Sequence, residues 1–180
     1  MVFAHDTTAA LQAAVALVNS AEPPDTMTTP DELDEFFAAH DYTGSRTHDA
    51  AELAAVRALR APLRRLLTSD RDEAVRIVNE ILAERHAVPA LVRHDGWDYH
   101  LHATSSDTPL ATRMAVEAAM AVLDLVRGKE LARLRTCEYP DCSRVLVDLT
   151  KNRSKRFCDG GCGNRAAVEA YRARAKKQRR

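Results

Sequence analysis

The chain has 180 residues, of which 46% are hydrophobic and only 5% aromatic. This length allows one good hydrophobic core with a small appended module, and the many Ala, Leu, Val and Arg residues favour packed helices over a β-sandwich. No apolar run reaches the length of a membrane span, and the N-terminus has no basic segment of the secretory type. We therefore expect a cytoplasmic protein without membrane association.

The formal net charge of zero hides a strong asymmetry along the chain. Residues 1–126 carry 10 basic and 20 acidic residues, whereas residues 127–180 carry 16 basic and 6 acidic residues and all five lysines. Such a difference indicates two modules with different partners. The basic end has the electrostatic character of a polyanion-binding module.

Apolar residues at helical spacing predict several helices before residue 130. Thr29 and Pro30 are typical of an N-cap and a first helical position, and Pro62 predicts a kink or a break into two shorter helices. The predicted helices span about 7–20, 30–41, 49–67, 70–85 and 109–127.

Residues 88–103 differ from these helices, because two short runs flank the Asp-Gly pair at 95–96, which is typical of a β-hairpin turn. His100 and His102 would share one face of a strand. They could hold a second metal ion or a small ligand. Alternatively, Trp97, Tyr99 and Leu101 point inward and the histidines line the solvated face.

All four cysteines lie close together in the basic part, with the spacing Cys137-x4-Cys142-x15-Cys158-x3-Cys162. Four clustered thiols match one structural, tetrahedral Zn²⁺ with no open position for water. The apolar run 144–150 predicts a small hairpin between the two ligand pairs, and residues 163–180 predict a basic helix that carries the second pair at its start. This is a treble-clef-like arrangement, whose folding energy must come largely from the metal.

The finger residues resemble the CGNR zinc finger family, named after a Cys-Gly-Asn-Arg tetrad that occurs here at residues 162–165. The segments 16–19 and 52–60, together with a hairpin before a final helix, look like the companion domain called ABATE. Members of this family are regarded as bacterial transcription regulators, some of them stress-related, and RNA binding has also been suggested. The resemblance implies these roles for the chain.

Fold and domains follow from these patterns. We predict an α+β protein with a mainly helical N-terminal domain at 1–130, containing one hairpin, and a zinc finger at 131–180. Since no Gly/Ser linker separates them, the finger is expected to be docked or held at a defined angle.

The basic residues of the finger are the candidates for phosphate contacts. Asn164 and Arg165 belong to the residue types that read adenine and guanine edges. Alternatively, Asn164 caps the helix and Arg165 pairs with Asp148 to brace the zinc site, while Tyr171 packs on the small core. The predicted nucleic-acid contacts are Lys151, Arg153, Lys155, Arg156, Asn164, Arg165, Arg172, Lys176 and Arg179.

These features predict a DNA-binding transcription regulator. Its N-terminal domain would sense a small molecule or dimerise, and a homodimer would read two half-sites because one finger makes few base contacts. RNA binding by the same module is one alternative, and a protein-interaction module is another. We expect no enzymatic activity, because the sequence shows neither an open metal site nor a catalytic motif.

Overall fold

The computed structural model describes residues 3–93 and 98–178, which form a helical body with two small hairpins. Its mainly helical α+β fold is the predicted class. The described helices are α1 (His5–Asn19), α2 (Pro30–Ala39), α3 (Ala50–Ala58), α4 (Arg60–Thr68), α5 (Arg71–Glu84), α6 (Leu110–Arg127) and α7 (Cys162–Gln178). The described strands are β1 (Ala90–Val92), β2 (His100–His102), β3 (Leu134–Thr136) and β4 (Val145–Val147).

Local capping explains where the middle helices begin. Thr29 accepts a hydrogen bond from the backbone N–H of Glu32, whose carboxylate accepts in return from the Thr29 N–H, and this forms a capping box. Asp49 and Asp70 cap α3 and α5 with the same type of side-chain bond. The predicted long helix is divided at Leu59, three residues before Pro62, which confirms the predicted interruption.

The core lies around α1 and α6, which pack side by side. Leu11 and Leu17 of α1 and Met114 and Leu125 of α6 are essentially inaccessible to solvent. Aliphatic side chains of α3, α4 and α5 cover the remaining sides of this pair. Burial of aliphatic side chains contributes roughly 1.5–3 kcal/mol for each one, and it is the main stabilising term of the helical body.

The two hairpins have different surroundings. In the first, β1 pairs with β2 in antiparallel register, with Leu91 opposite Leu101, and the predicted turn at 95–96 lies outside the described residues. In the second, β4 pairs with β3, which precedes Cys137, with Leu134 opposite Val147. The prediction of a hairpin between the two cysteine pairs was therefore wrong. The hairpin instead carries the first pair in its connecting loop.

The second hairpin is docked on the helical body. Val145 and Val147 belong to the same buried cluster as α1 and α6. The Asn19 side chain donates to the Val145 carbonyl at 2.7 Å and accepts from the Val145 N–H at 2.8 Å, as a neighbouring strand would. The direct connection from α6 into β3 thus holds the cysteine module against the body, as the absence of a linker predicted.

Candidate zinc site and nucleic-acid interface

The four cysteines come together from two parts of the chain, the β3–β4 loop and the beginning of α7. Cys137 follows β3, Cys142 lies in the β3–β4 loop, Cys158 precedes α7 and Cys162 is its first residue. Their Sγ atoms all lie within 4.8 Å of one another. The Cys158–Cys162 and Cys142–Cys158 separations are 3.5 and 3.8 Å. Ligands about 2.3 Å from a tetrahedral Zn²⁺ lie about 3.8 Å apart, so the cluster fits one structural zinc ion.

The chemistry of the cluster also fits a cation. Cys137, Cys158 and Cys162 are buried, and partly buried hydrophobic residues, among them Tyr139 and Phe157, pack against them. Burial raises the pKa of the metal-free Cys158 thiol to about 12. Zinc binding replaces such protons, so binding the metal and folding the module are one process. Four thiolates fill the tetrahedral shell, which assigns the ion a structural role.

The start of α7 is shaped to carry its ligand. Gly161 has φ +79°, a left-handed conformation that other residues seldom adopt, and its carbonyl accepts the first turn's hydrogen bond from the Arg165 N–H. Cys162 therefore lies at the amino end of the helix. Burial raises the pKa of the Cys162 thiol, but the hydrogen bond from Arg165 outweighs this effect and lowers the pKa to about 7.

Arg165 lies against the zinc site. Its guanidinium donates to Cys162 Sγ at 2.8 Å and stacks 4.9 Å above the ring of Tyr139. The alternative in which Arg165 pairs with Asp148 was wrong. Asp148 is buried and accepts instead from Thr150 and from the Lys155 N–H, which folds the loop after β4.

Helix α7 extends from this cluster with an almost fully exposed surface. Cys162 is its only buried residue within the described part. Residues 162–178 contain five basic residues and one acidic residue. Arg172, Arg174, Lys176 and Lys177 are exposed, and none forms an ion pair among the described residues. Arg179 lies outside the described residues.

The ABATE family model, described as a "putative stress-induced transcription regulator", matches residues 11–129. The chain belongs to the ABATE family. The CGNR zinc finger model matches residues 133–175, which include the four cysteines. No curated protein matches the chain. In the described part of this ABATE protein, no helix is long and apolar enough to span a membrane.

Asn164 and Tyr171 of the CGNR finger do not have the structural roles of helix cap and core residue that the sequence offered for them. The helix begins at Cys162, so Asn164 lies exposed inside the first turn and is not its cap. Tyr171 is 67% exposed, so the expectation that it packs on the core of the finger was wrong. Both side chains are available to a partner.

The basic residues of the loop after β4 are more engaged than those of α7. Lys151 is exposed without an ion pair among the described residues. Arg153 pairs with Glu130, a buried carboxylate that also holds the buried Arg133. Lys155 pairs with Asp159 and Arg156 with Glu138 at the surface. Arg153 thus has a bracing role at the base of the finger, and the other three remain candidate phosphate contacts.

The histidine pair of the ABATE domain faces the interior. His100 and His102 are half-buried, with their Nε2 atoms 3.0 Å apart, whereas Tyr99 and Leu101 are exposed. Trp97, predicted to share their face, lies outside the described residues. The expectation of histidines on the solvated face was wrong. The strand is too short and too peripheral for the usual preference of aromatic residues for the core to decide its orientation.

Sequence reasoning missed one group in this region. Glu117 of α6 lines a cavity together with both histidines. Leu110, Met114 and Ala121 form the buried stripe of α6, and Glu117 interrupts it at helical spacing. A charged residue in an apolar stripe was the available signal.

Proposed function

We propose that this ABATE protein is a DNA-binding transcription regulator whose CGNR finger presents α7 to the double helix. The exposed basic surface of α7, fixed at one end to the zinc cluster, carries this proposal. A helix of 17 residues is about 25 Å long, and the DNA major groove admits one α-helix. The proposed role is binding without catalysis, in the bacterial cytoplasm.

One side of α7 combines charge with an exposed aromatic ring. Arg172 and Lys176 are four residues apart and therefore neighbours on the helix surface. Tyr171 is exposed beside them, and so is Val168, one turn earlier. Basic side chains contact phosphates, and an exposed tyrosine offers a flat surface for sugars or bases. The stacking of Arg165 on Tyr139 and the hydrogen bond from the Tyr139 hydroxyl to Glu169 tie the first turns of α7 to the β3–β4 loop.

Fluorescence anisotropy with a labelled mixed-sequence duplex, measured between 50 and 200 mM salt, tests this proposal. We expect binding that weakens steeply with salt. Arg172→Ala should weaken binding to all sequences and reduce the slope of log K against log salt by about 1. Arg71→Ala removes another exposed positive charge, from α5, and is the matched control. No binding to DNA at 50 mM salt would contradict the proposal, and tighter binding to RNA would favour the RNA alternative.

We further propose that the protein binds DNA as a homodimer formed through the helical body. A single α7 reaches only a few base pairs, and two copies on adjacent half-sites would add their contacts. Sedimentation with and without the duplex measures the stoichiometry. A monomer under both conditions, with one chain per duplex at saturation, contradicts dimerisation while leaving the DNA-binding proposal intact.

A further inference from the structure

A cavity of about 120 Å³ lies in the ABATE domain between α1, α6, β2 and the chain segment that follows α2. Its apolar wall includes Ala9, Ala10 and Ala13 of α1 and Val116 of α6. The short alanine side chains leave space between two helices that are otherwise tightly packed. A cavity of about 150 Å³ accommodates benzene, which has six non-hydrogen atoms, so this smaller one suits a ligand of no more than about six such atoms.

Glu117 is the unusual polar group of this cavity. Protein encloses its carboxylate, and the part of the residue that stays accessible opens into the cavity. No hydrogen bond or ion pair reaches this carboxylate from any described residue. Arg113, one turn earlier on α6, does not neutralise it directly, because its guanidinium donates to the backbone carbonyls of Thr43, Ser45 and Thr108. An enclosed carboxylate without a partner is costly, which points to a missing partner.

Two other carboxylates around the cavity already accept hydrogen bonds. Asp124 accepts from the Thr7 hydroxyl at 2.6 Å, and Asp6 accepts from the Leu101 N–H at 3.1 Å. Burial and the charge of Glu117 raise the pKa of Tyr42 well above its ordinary value, so its hydroxyl stays protonated. The described lining contains four carboxylates and no Lys or Arg. This electrostatic environment attracts a positive ligand and repels an anion.

A metal ion is the less suitable cation for this cavity. Among the described residues, only the four cysteines bring three or more metal-ligating side chains together. The two histidines bond to each other at Nε2, and the wall opposite Glu117 is apolar. An organic cation uses both features, since its charged end can pair with the carboxylate and its apolar part can cover the alanines.

We propose that this cavity binds a small primary alkylamine or a comparable organic cation, with the ammonium group paired to Glu117 and the apolar chain packed on the alanine face of α1. The inference gives a ligand class to the regulator proposed above. Only the regulatory role of the ligand rests on that proposed function, because binding of the amine itself involves no nucleic acid. The same α1 holds the CGNR finger through Asn19 at its last turn.

Titration of the zinc-loaded, full-length protein with n-butylamine, followed by calorimetry and amide NMR, tests the inference. The matched probes are 1-butanol, which is neutral, and butyrate, which is anionic. We expect butylamine to bind at least about tenfold more tightly than either, because only its charged group can form a hydrogen-bonded ion pair with the buried carboxylate of Glu117. Shifted amides should map to residues 9–13, 40–43 and 116–121. Butyrate or 1-butanol binding as tightly as butylamine would overturn the inference.

Two variants test separately whether binding depends on the charge of Glu117 and whether it depends on the volume of the cavity. Glu117→Gln keeps the shape, removes the buried charge and should lose the preference for butylamine over 1-butanol. Ala13→Leu fills the cavity and should lose both ligands. Glu84→Gln, at an exposed position of α5, is the matched control and should bind like the parent protein. Unchanged butylamine binding by Glu117→Gln, or a second equivalent of Zn²⁺ bound through Glu117, would overturn the inference.

The same samples keep the two proposals apart. A protein that binds butylamine through Glu117 but not DNA supports the ligand assignment and contradicts the regulator. A protein that binds DNA but shows no preference for butylamine supports the regulator and overturns the ligand assignment.

Discussion

The ABATE domain and the CGNR finger are stabilised by different means. The ABATE domain buries a continuous aliphatic cluster centred on α1 and α6. The tip of the finger has a core of three buried cysteines with a few partly buried neighbours, and its helix α7 buries only Cys162. Burial of hydrocarbon stabilises the first region, whereas the second depends on a metal. The hairpin β3–β4 belongs to the finger in sequence but to the ABATE core in packing.

Among the changes that separate the stability of the finger from that of the ABATE domain, loss of one zinc ligand should have the largest effect. Cys158→Ser removes a thiolate from a site whose zinc contributes roughly 10–16 kcal/mol in comparable peptides. We expect zinc loss and rapid amide exchange in residues 150–178. The amides of Val145 and Val147 should stay protected, because their side chains are anchored in the ABATE core.

Zinc content and hydrogen exchange by mass spectrometry measure both parts of this outcome. Chelation of zinc from the parent protein is the control, since it should reproduce the exchange pattern without a substitution. Retention of one zinc per chain by Cys158→Ser would contradict the ligand assignment. Loss of protection throughout α1 and α6 would show that the ABATE core also depends on the metal.

The buried carboxylate of Glu117 gives the ABATE domain a pH dependence of its own. Burial raises the pKa of Glu117 from 4.5 to about 7, although Arg113 opposes this shift. The unfolded chain therefore releases this proton at lower pH than the folded chain. Below about pH 4.5, Glu117 is protonated in both states and its titration does not change the free energy of unfolding. As the pH rises, its ionisation lowers the free energy of unfolding, and above pH 7 this loss reaches its full value of roughly 3 kcal/mol.

Urea denaturation of the parent protein and Glu117→Gln between pH 4.5 and 8 measures this term as a difference, in which all other titrating groups cancel. The variant should gain stability relative to the parent as the pH rises, whereas Glu84→Gln should track the parent at every pH. A difference that is constant with pH would contradict the raised pKa.

Most of the fold could be predicted from sequence because its signals are local. The caps at Thr29 and Asp70, the break near Pro62 and the cysteine spacing each act within a few residues. The pairing of β4 with β3 could not be predicted in the same way. Strand β4 is also held by the hydrogen bonds between Val145 and Asn19 of α1, and these two residues are 126 positions apart in the chain.

The candidate sites show the same division. Zinc ligands were evident, because four thiols within 26 residues of a chain without further cysteines are typical of a metal site. The inward turn of His100 and His102 and the exposure of Tyr171 depend on tertiary packing around short or peripheral elements. The contact of Arg165 with Cys162, three residues earlier on the same helix, is local, whereas its stacking on Tyr139 could not be predicted because it depends on how the β3–β4 loop lies against α7.

The junction between the two regions can be weakened separately from either one. Asn19→Ala removes two hydrogen bonds to Val145 and leaves a partly buried N–H and C=O without these partners. An unsatisfied buried group costs about 1–3 kcal/mol, so we expect a loss of this order and faster exchange at Val145, with zinc retained. Asn79→Ala, on the exposed surface of α5, is the control. Unchanged exchange at Val145 would show that packing of Val145 and Val147 alone holds the hairpin.

The smallest effect should come from a cap that serves only the ABATE domain. Thr29→Ala removes one half of the capping box of α2, which costs about 1 kcal/mol, or roughly 2–4 °C in Tm for a chain of this size. Thr26→Ala, exposed in the preceding loop, should leave Tm unchanged. Zinc affinity, measured by competition with a chelator, should be the same in both variants, because α2 contributes nothing to the cysteine cluster. A zinc affinity that falls with the cap would mean that the finger depends on the stability of the helical body as a whole, and the two regions would then form one cooperative unit.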